Sequence, residues 1–158
     1  MKEKEITAYH EGGHALIASI LPYADPVHKV SIISRGRAAG YTLKLPIEER
    51  KLQSKKEFLD DIVVSLGGYV VEKTIFDDLT TGPSNDLQVA TGLAHNMVAK
   101  YGMSASMGPI AFEGSSGMLV RQSGMIEREY SQDVAMRIDQ EVARIMNEGL
   151  TRAKEILT

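Results

Sequence analysis

Glu5-Ile6-Thr7-Ala8-Tyr9-His10-Glu11-Gly12-Gly13-His14-Ala15-Leu16-Ile17-Ala18-Ser19-Ile20-Leu21-Pro22 carries its apolar side chains at Ile6, Tyr9, Ala15, Leu16 and Ile20. That spacing is closer to helical than to strand alternation, and Pro22 cannot continue a helix. A helix is therefore expected from about Glu5 to Leu21. Inside it lies His10-Glu11-Gly12-Gly13-His14, an H-E-x-x-H pattern. Residues four apart share one helix face, so the two imidazoles can reach a single tetrahedral zinc. Glu11 leaves the helix about 100° round from His10, toward the open side of such a metal. Zinc lowers the pKa of its bound water to about 7, and a neighbouring carboxylate can take that proton and later deliver it to a leaving amine. Glu11 suits that role. Gly12 and Gly13 each cost about 1 kcal/mol against alanine in a helix interior. Close approach of another segment would account for them.

Outward from this helix, the β-branched stretch Val27 to Ile33 and the stretch Gly40 to Leu45 read as two short strands. Ser34-Arg35-Gly36-Arg37 is the turn or loop signal between them. Ser54 followed by Glu57 is a capping-box pattern. Phe58, Leu59, Ile62, Val63, Leu66 and Val70 then recur at helical intervals, predicting a helix that runs to about Phe76. After the Asp77-Asp78 turn, a helix is expected from about Asn85 to Tyr101. Gly102 to Gly124 has no sustained period and reads as a long irregular segment. Ser131 can cap a last helix carrying Val134, Ile138, Val142, Ile145, Met146, Leu150 and Ala153 on one side.

The fold class expected is mainly α with a small β-sheet or hairpin, in one domain over residues 1–158. A chain of 158 residues, 43% hydrophobic and 25% charged, is long enough for one domain with a core. The net charge of −3, with no basic run interleaved with aromatics, argues against a nucleic-acid partner. There is no cysteine, so a metal must be held by nitrogen and oxygen donors. No apolar stretch approaches the roughly 20 residues of a membrane helix, and the charged start is unlike a signal peptide. The chain as given reads as soluble.

A third ligand is needed. The metzincin continuation requires glycine and histidine where this chain has Ile17 and Ile20, which excludes that class. His28 and His95 lie at a strand entrance and well inside a helix, where ordinary surface or core roles are commoner. The acidic candidates are Asp60, Asp61, Glu72, Asp77, Asp78 and Asp86, and spacing alone does not choose among them.

Three separated motifs in one order carry a specific resemblance. They are His10-Glu11-Gly12-Gly13-His14, Val30 to Thr42 with its Gly40-Tyr41-Thr42 end, and Thr80-Thr81-Gly82-Pro83-Ser84-Asn85-Asp86-Leu87. Tyr101-Gly102-Met103-Ser104, Gly108-Pro109 and Tyr130-Ser131 add to them. Together they resemble the peptidase domain of the FtsH family, membrane-anchored, ATP-dependent zinc proteases, over almost the whole chain. The resemblance implies one zinc held by His10, His14 and Asp86, with Glu11 as the catalytic carboxylate. It also implies the single-domain helical zinc-peptidase fold of that type. Asp86 would equally be favoured in a first helical turn by the macrodipole. Asn85 and the Thr80-Thr81 pair are candidates to orient ligands. Gly12 stands where many relatives have alanine.

Unfolded or membrane-protein substrates and a homo-hexameric full-length protein are further implications. So is a domain lying on the cytoplasmic side of the bacterial inner membrane, or in organelles. No G-x-x-x-x-G-K-[ST] phosphate loop occurs in the chain. ATP is therefore expected to act only through a module outside it, and a membrane only through segments outside it. The strand Gly40 to Leu45 offers an edge on which an extended substrate could pair, and proline at Thr42 is the expected way to block it. A catalytically silent ring-forming assembly module is the competing reading. A scaffold has no physical need for a carboxylate beside two helical histidines, which argues against it.

Overall fold

A computed structural model describes residues 2–33, 40–44, 52–113 and 130–158. Among them are five helices and one two-stranded sheet: α1 (Lys2–Ile20), β1 (Val27–Ser31), β2 (Tyr41–Lys44), α2 (Lys55–Ser65), α3 (Gly67–Phe76), α4 (Ser84–Ala99) and α5 (Gln132–Leu157). The mainly helical class with a small sheet is as expected. The turn at 34–37, Leu45 and residues 114–124 of the irregular segment lie outside the described residues.

Capping chemistry sets the helix starts. The Ser54 side chain accepts from Glu57 N while the Glu57 carboxylate accepts from Ser54 N, completing the box that begins α2. The Ser131 hydroxyl accepts from Val134 N at the start of α5. Asp77, in the left-handed region at φ 52°, ends α3. Strands β1 and β2 pair antiparallel, with Val30 opposite Thr42 and Ser31 opposite Tyr41.

The single helix expected from Ser54 to Phe76 is two. At Leu66 (φ −79°, ψ −7°) the α-helical ladder is interrupted between α2 and α3. Gly67 follows at the point where α3 meets α1 backbone to backbone. A methyl group on Gly67 would lie 3.1 Å from the carbonyl oxygen of Gly13, and one on Gly13 would lie 3.0 Å from that of Gly67. Apolar periodicity is insensitive to such a break, because the buried face continues across it.

The core is filled by Ile17 from α1, Ile62, Val63 and Val64 from α2, Val70 from α3, Met97 and Val98 from α4, and Ile138 from α5, all at most 2% exposed. Helix α1 packs on α3 and touches α2, while α2 packs on α4 and α5. Helices α1 and α4 do not pack on each other directly. The small sheet lies against α1, facing the turn that carries His10 and Glu11. No described helix is long and apolar enough to cross a membrane.

Candidate metal centre

His10, Glu11 and His14 are all buried, at 9%, 8% and 7% exposure, on the side of α1 that faces α2, α3 and β2. Buried ionisable groups need partners, and their partners define the site. The His14 ring nitrogen Nδ1 lies 2.6 Å from the carbonyl oxygen of Val64. A carbonyl can only accept, so Nδ1 carries the proton and Nε2 of the neutral ring is left with a lone pair. That Nε2 lies 3.0 Å from His10 Nε2 and 3.1 Å from Asp86 Oδ2. His10 Nε2 lies 3.0 Å from the same Asp86 oxygen.

Three donor atoms thus form a nearly equilateral triangle. A tetrahedral zinc with bonds of about 2.0–2.1 Å would set its ligand atoms about 3.3 Å apart, so the triangle is close to the size the ion demands. The chemistry of the set also fits. His14 Nε2 and the Asp86 oxygen confront each other as two electron-rich atoms unless a ring gains a proton or a cation sits between them. In the absence of a cation, burial disfavours the imidazolium of His10. Hydrogen bonding and charge attraction from Asp86, with the charges of Glu11 and Glu72, outweigh burial and raise its pKa. Burial likewise disfavours the Asp86 carboxylate, but its interactions with His10 and His14 more than offset it and hold its pKa below the usual range.

Two further acids and two threonines complete the surroundings. His10 Nδ1 is buried without a hydrogen bond, its nearest partner being Glu72 Oε1 at 3.4 Å. Glu72, 2% exposed, is held in turn by Thr80, whose backbone N–H lies 2.9 Å from Oε2 and whose hydroxyl also donates to the carboxylate. A ligating imidazole whose second nitrogen faces a carboxylate or carbonyl is the usual arrangement around a protein-bound metal. His14 with Val64 has it, and His10 with Glu72 approaches it. Gly68 makes room for the His10 ring, since a Cβ there would fall 2.1 Å from its Cε1 atom. On the other side, Glu11 Oε2 accepts a 2.7 Å hydrogen bond from the Thr42 hydroxyl on β2.

Of the six acids that spacing left open, Asp86 alone joins both histidines. Asp60 accepts from Tyr23 N and from Arg152 Nη2, Asp61 from Gln53, and Asp78 from Leu79 N. Asp77 ends α3, and Glu72 sits behind His10 rather than in the triangle. His28 is exposed on β1, and His95 pairs with Glu113 at 2.9 Å. Among the described residues, His10, His14 and Asp86 are the group able to hold a metal ion.

Among the described residues Thr80, Thr81 and Asn85, the candidates to orient ligands, make no hydrogen bond to the triangle's donor atoms. Thr80 acts on Glu72 and not on a ligand, and Thr81 and Asn85 line the cleft. Glu72 and Thr42 are the residues that sequence reasoning did not assign. Gly68 and Glu72, four apart on α3, were the available sign of a helix face cleared for a ring and carrying an acid behind it. His10, Glu11, His14, Thr42, Glu72 and Asp86 all line one cleft of about 940 Å³.

Comparison with known proteins finds relatives along nearly the whole chain. The chain is 49% identical to the ATP-dependent zinc metalloprotease FtsH 1 of Sphaerobacter thermophilus, over 99% of its own length and 24% of that protein. It is 50% identical to the ATP-dependent zinc metalloprotease FtsH 3 of Petrotoga mobilis, over 99% and 24%. With the ATP-dependent zinc metalloprotease FtsH of Bacillus subtilis the identity is 48%, over 99% and 25%. The chain therefore spans about a quarter of the length of the relatives it matches. The sequence pattern of the family described as Peptidase family M41 covers residues 1–158, and the chain belongs to that family.

Proposed function

We propose that this chain is a zinc-dependent endopeptidase in which His10, His14 and Asp86 hold the metal and Glu11 is the general base. The observation that carries the reading is the triangle of donor atoms, 3.0–3.1 Å on each edge, in one cleft with the buried Glu11 carboxylate. Family membership supports a protease, and the zinc named in the relatives suits an all nitrogen and oxygen donor set. When bound, zinc supplies Lewis acidity that polarises the scissile carbonyl and makes water a better nucleophile.

The remaining work falls to the chain. Glu11 takes the proton of the attacking water at a carboxylate oxygen and returns it to the leaving amine. Val64 O fixes the His14 tautomer, and Glu72 faces the second nitrogen of His10. Gly40, Tyr41 and Thr42 border the cleft, so an extended substrate would lie along β2 and pair through its backbone, with little demand on side-chain sequence.

Flexible or unfolded polypeptides are the substrates that such a cleft accepts. The relatives named as ATP-dependent are about four times as long. We place this chain as the proteolytic part of a homo-hexamer at the cytoplasmic face of a bacterial inner membrane or in organelles, fed by a nucleotide-driven module. The test is zinc content together with casein hydrolysis for wild type, Glu11→Gln and Asp86→Ala, each checked for folding. One zinc and cleavage in wild type, retained zinc without cleavage in Glu11→Gln, and lost zinc in Asp86→Ala are expected. Wild-type cleavage by Glu11→Gln would remove Glu11 from the mechanism.

A further inference from the structure

The Glu11 side chain is held from two positions two residues apart, Gly40 just before β2 and Thr42 on it. At Gly40 the chain comes so close that an added Cβ would lie 3.2 Å from Glu11 Cγ, 2.5 Å from Thr7 Cγ2 and 2.8 Å from Ser31 O. Two residues on, the Thr42 hydroxyl lies 2.7 Å from Glu11 Oε2 and 3.1 Å from the Glu11 backbone oxygen. One hydroxyl has one proton to give. The nearer, charged acceptor takes it, which makes Oε2 the partner. Oε1 has no hydrogen bond among the described residues.

We infer that Thr42 is a positioning residue for the proton-transfer step: its hydroxyl anchors Glu11 Oε2 and leaves Oε1 free to accept and return the proton. The inference rests on Glu11 being the general base. Glutamate is a long side chain with several rotamers, and a carboxylate pinned at one oxygen and walled along its stem enters the reaction with that freedom already removed. Valine has the same shape and equal or better strand propensity, so packing and pairing give no reason for the hydroxyl. Gly40 supplies the close approach that lets a side chain as short as threonine span the distance.

The experiment compares wild type with Thr42→Val, Thr42→Ser and Thr42→Ala, zinc-loaded, on a flexible fluorogenic peptide, with zinc content and melting temperature recorded and Glu11→Gln in parallel. Losing a hydrogen bond to a charged group predicts a fall in kcat of roughly 10- to 100-fold in Thr42→Val and Thr42→Ala. KM should stay within about 2-fold, because the backbone that pairs with substrate is unchanged. Thr42→Ser should retain most of the wild-type rate. Serine and alanine differ by one oxygen, so that pair decides the matter even if the valine variant folds poorly.

A readout independent of activity uses the zinc-free chain. The side-chain carboxylate carbon of Glu11, assigned by its disappearance in Glu11→Gln, should shift in its carbon-13 spectrum in Thr42→Ala and keep its position in Thr42→Ser. Full kcat in Thr42→Ala beside an inactive Glu11→Gln would overturn the role of Thr42 and leave that of Glu11 standing. Equal losses in Thr42→Ser and Thr42→Ala, a loss confined to KM, or an unmoved carbon resonance would also overturn it. Full activity in Glu11→Gln would overturn both.

Discussion

Adjacent glycines in α1 should respond oppositely to the same substitution. Gly12 is exposed, and a Cβ there would meet nothing within 4 Å. Gly12→Ala should therefore return the full helix-propensity gain, about 1 kcal/mol of added stability. At Gly13 the added methyl would lie 2.5 Å from Val71 Cγ2, 3.0 Å from Gly67 O and 3.3 Å from Gly67 C. Val71 can rotate, but the Gly67 backbone can yield only by moving α3 away from α1. Overpacking of this kind costs about 1–3 kcal/mol, and contact with backbone favours the upper end. After the propensity gain, Gly13→Ala should lose about 2 kcal/mol. The two variants then differ by about 3 kcal/mol, or about 6–12 °C in Tm for a chain of this size. Thermal unfolding followed by circular dichroism at 222 nm, in chelator so that metal does not contribute by mass action, measures it. A Gly13→Ala variant as stable as Gly12→Ala would refute the close approach of α1 and α3.

Other outcomes follow from the same contacts. Glu141, 7% exposed, is bound by Arg144, whose hydrogen bonds, aided by Ser106 and Ser104 against the opposing effect of burial, lower its pKa to about 2. A depressed carboxylate pKa stabilises the fold above the unfolded value of 4.5 and is lost as pH falls toward about 2. Urea midpoints of wild type and Glu141→Gln should therefore differ most above pH 4.5 and converge between pH 4.5 and 2. Glu72→Ala, which empties the space beside His10 Nδ1, should weaken zinc affinity by about 10- to 100-fold in a competition titration with a chromophoric chelator. Unchanged affinity would show that Glu72 serves only Thr80. Removing metal with a chelator should abolish casein hydrolysis, and stoichiometric zinc should restore it.

Much of this molecule is legible from side chains that act locally. The His10 and His14 pair, the Ser54–Glu57 box, the Ser131 cap and the stripe of α5 each specify structure within one or two turns. Interactions between distant segments are not legible in that way. Spacing could not select Asp86, because the chain from His14 to Asp86 passes through two strands and two helices before α4 presents it. The break at Leu66 leaves apolar periodicity intact. Gly12 and Gly13 have equal propensity costs, yet only Gly13 lies against another backbone, so the expectation of close approach holds for one and fails for the other. The Thr42 hydroxyl reads as an ordinary strand threonine until β2 is laid beside Glu11.

Since α1 and α4 do not pack directly on each other and His10 and His14 meet Asp86 across the gap, a bound ion would be a rivet between two helices whose spacing is set by the bodies between them. It would close a loop of about 70 residues in the unfolded chain, as a crosslink does. Zinc affinity then becomes a strain gauge for the interior. A change at buried Ile62 or Met97, neither of them a ligand, that lets α2 or α4 shift by a fraction of an ångström should register first as a weaker hold on the metal, before any loss of helix.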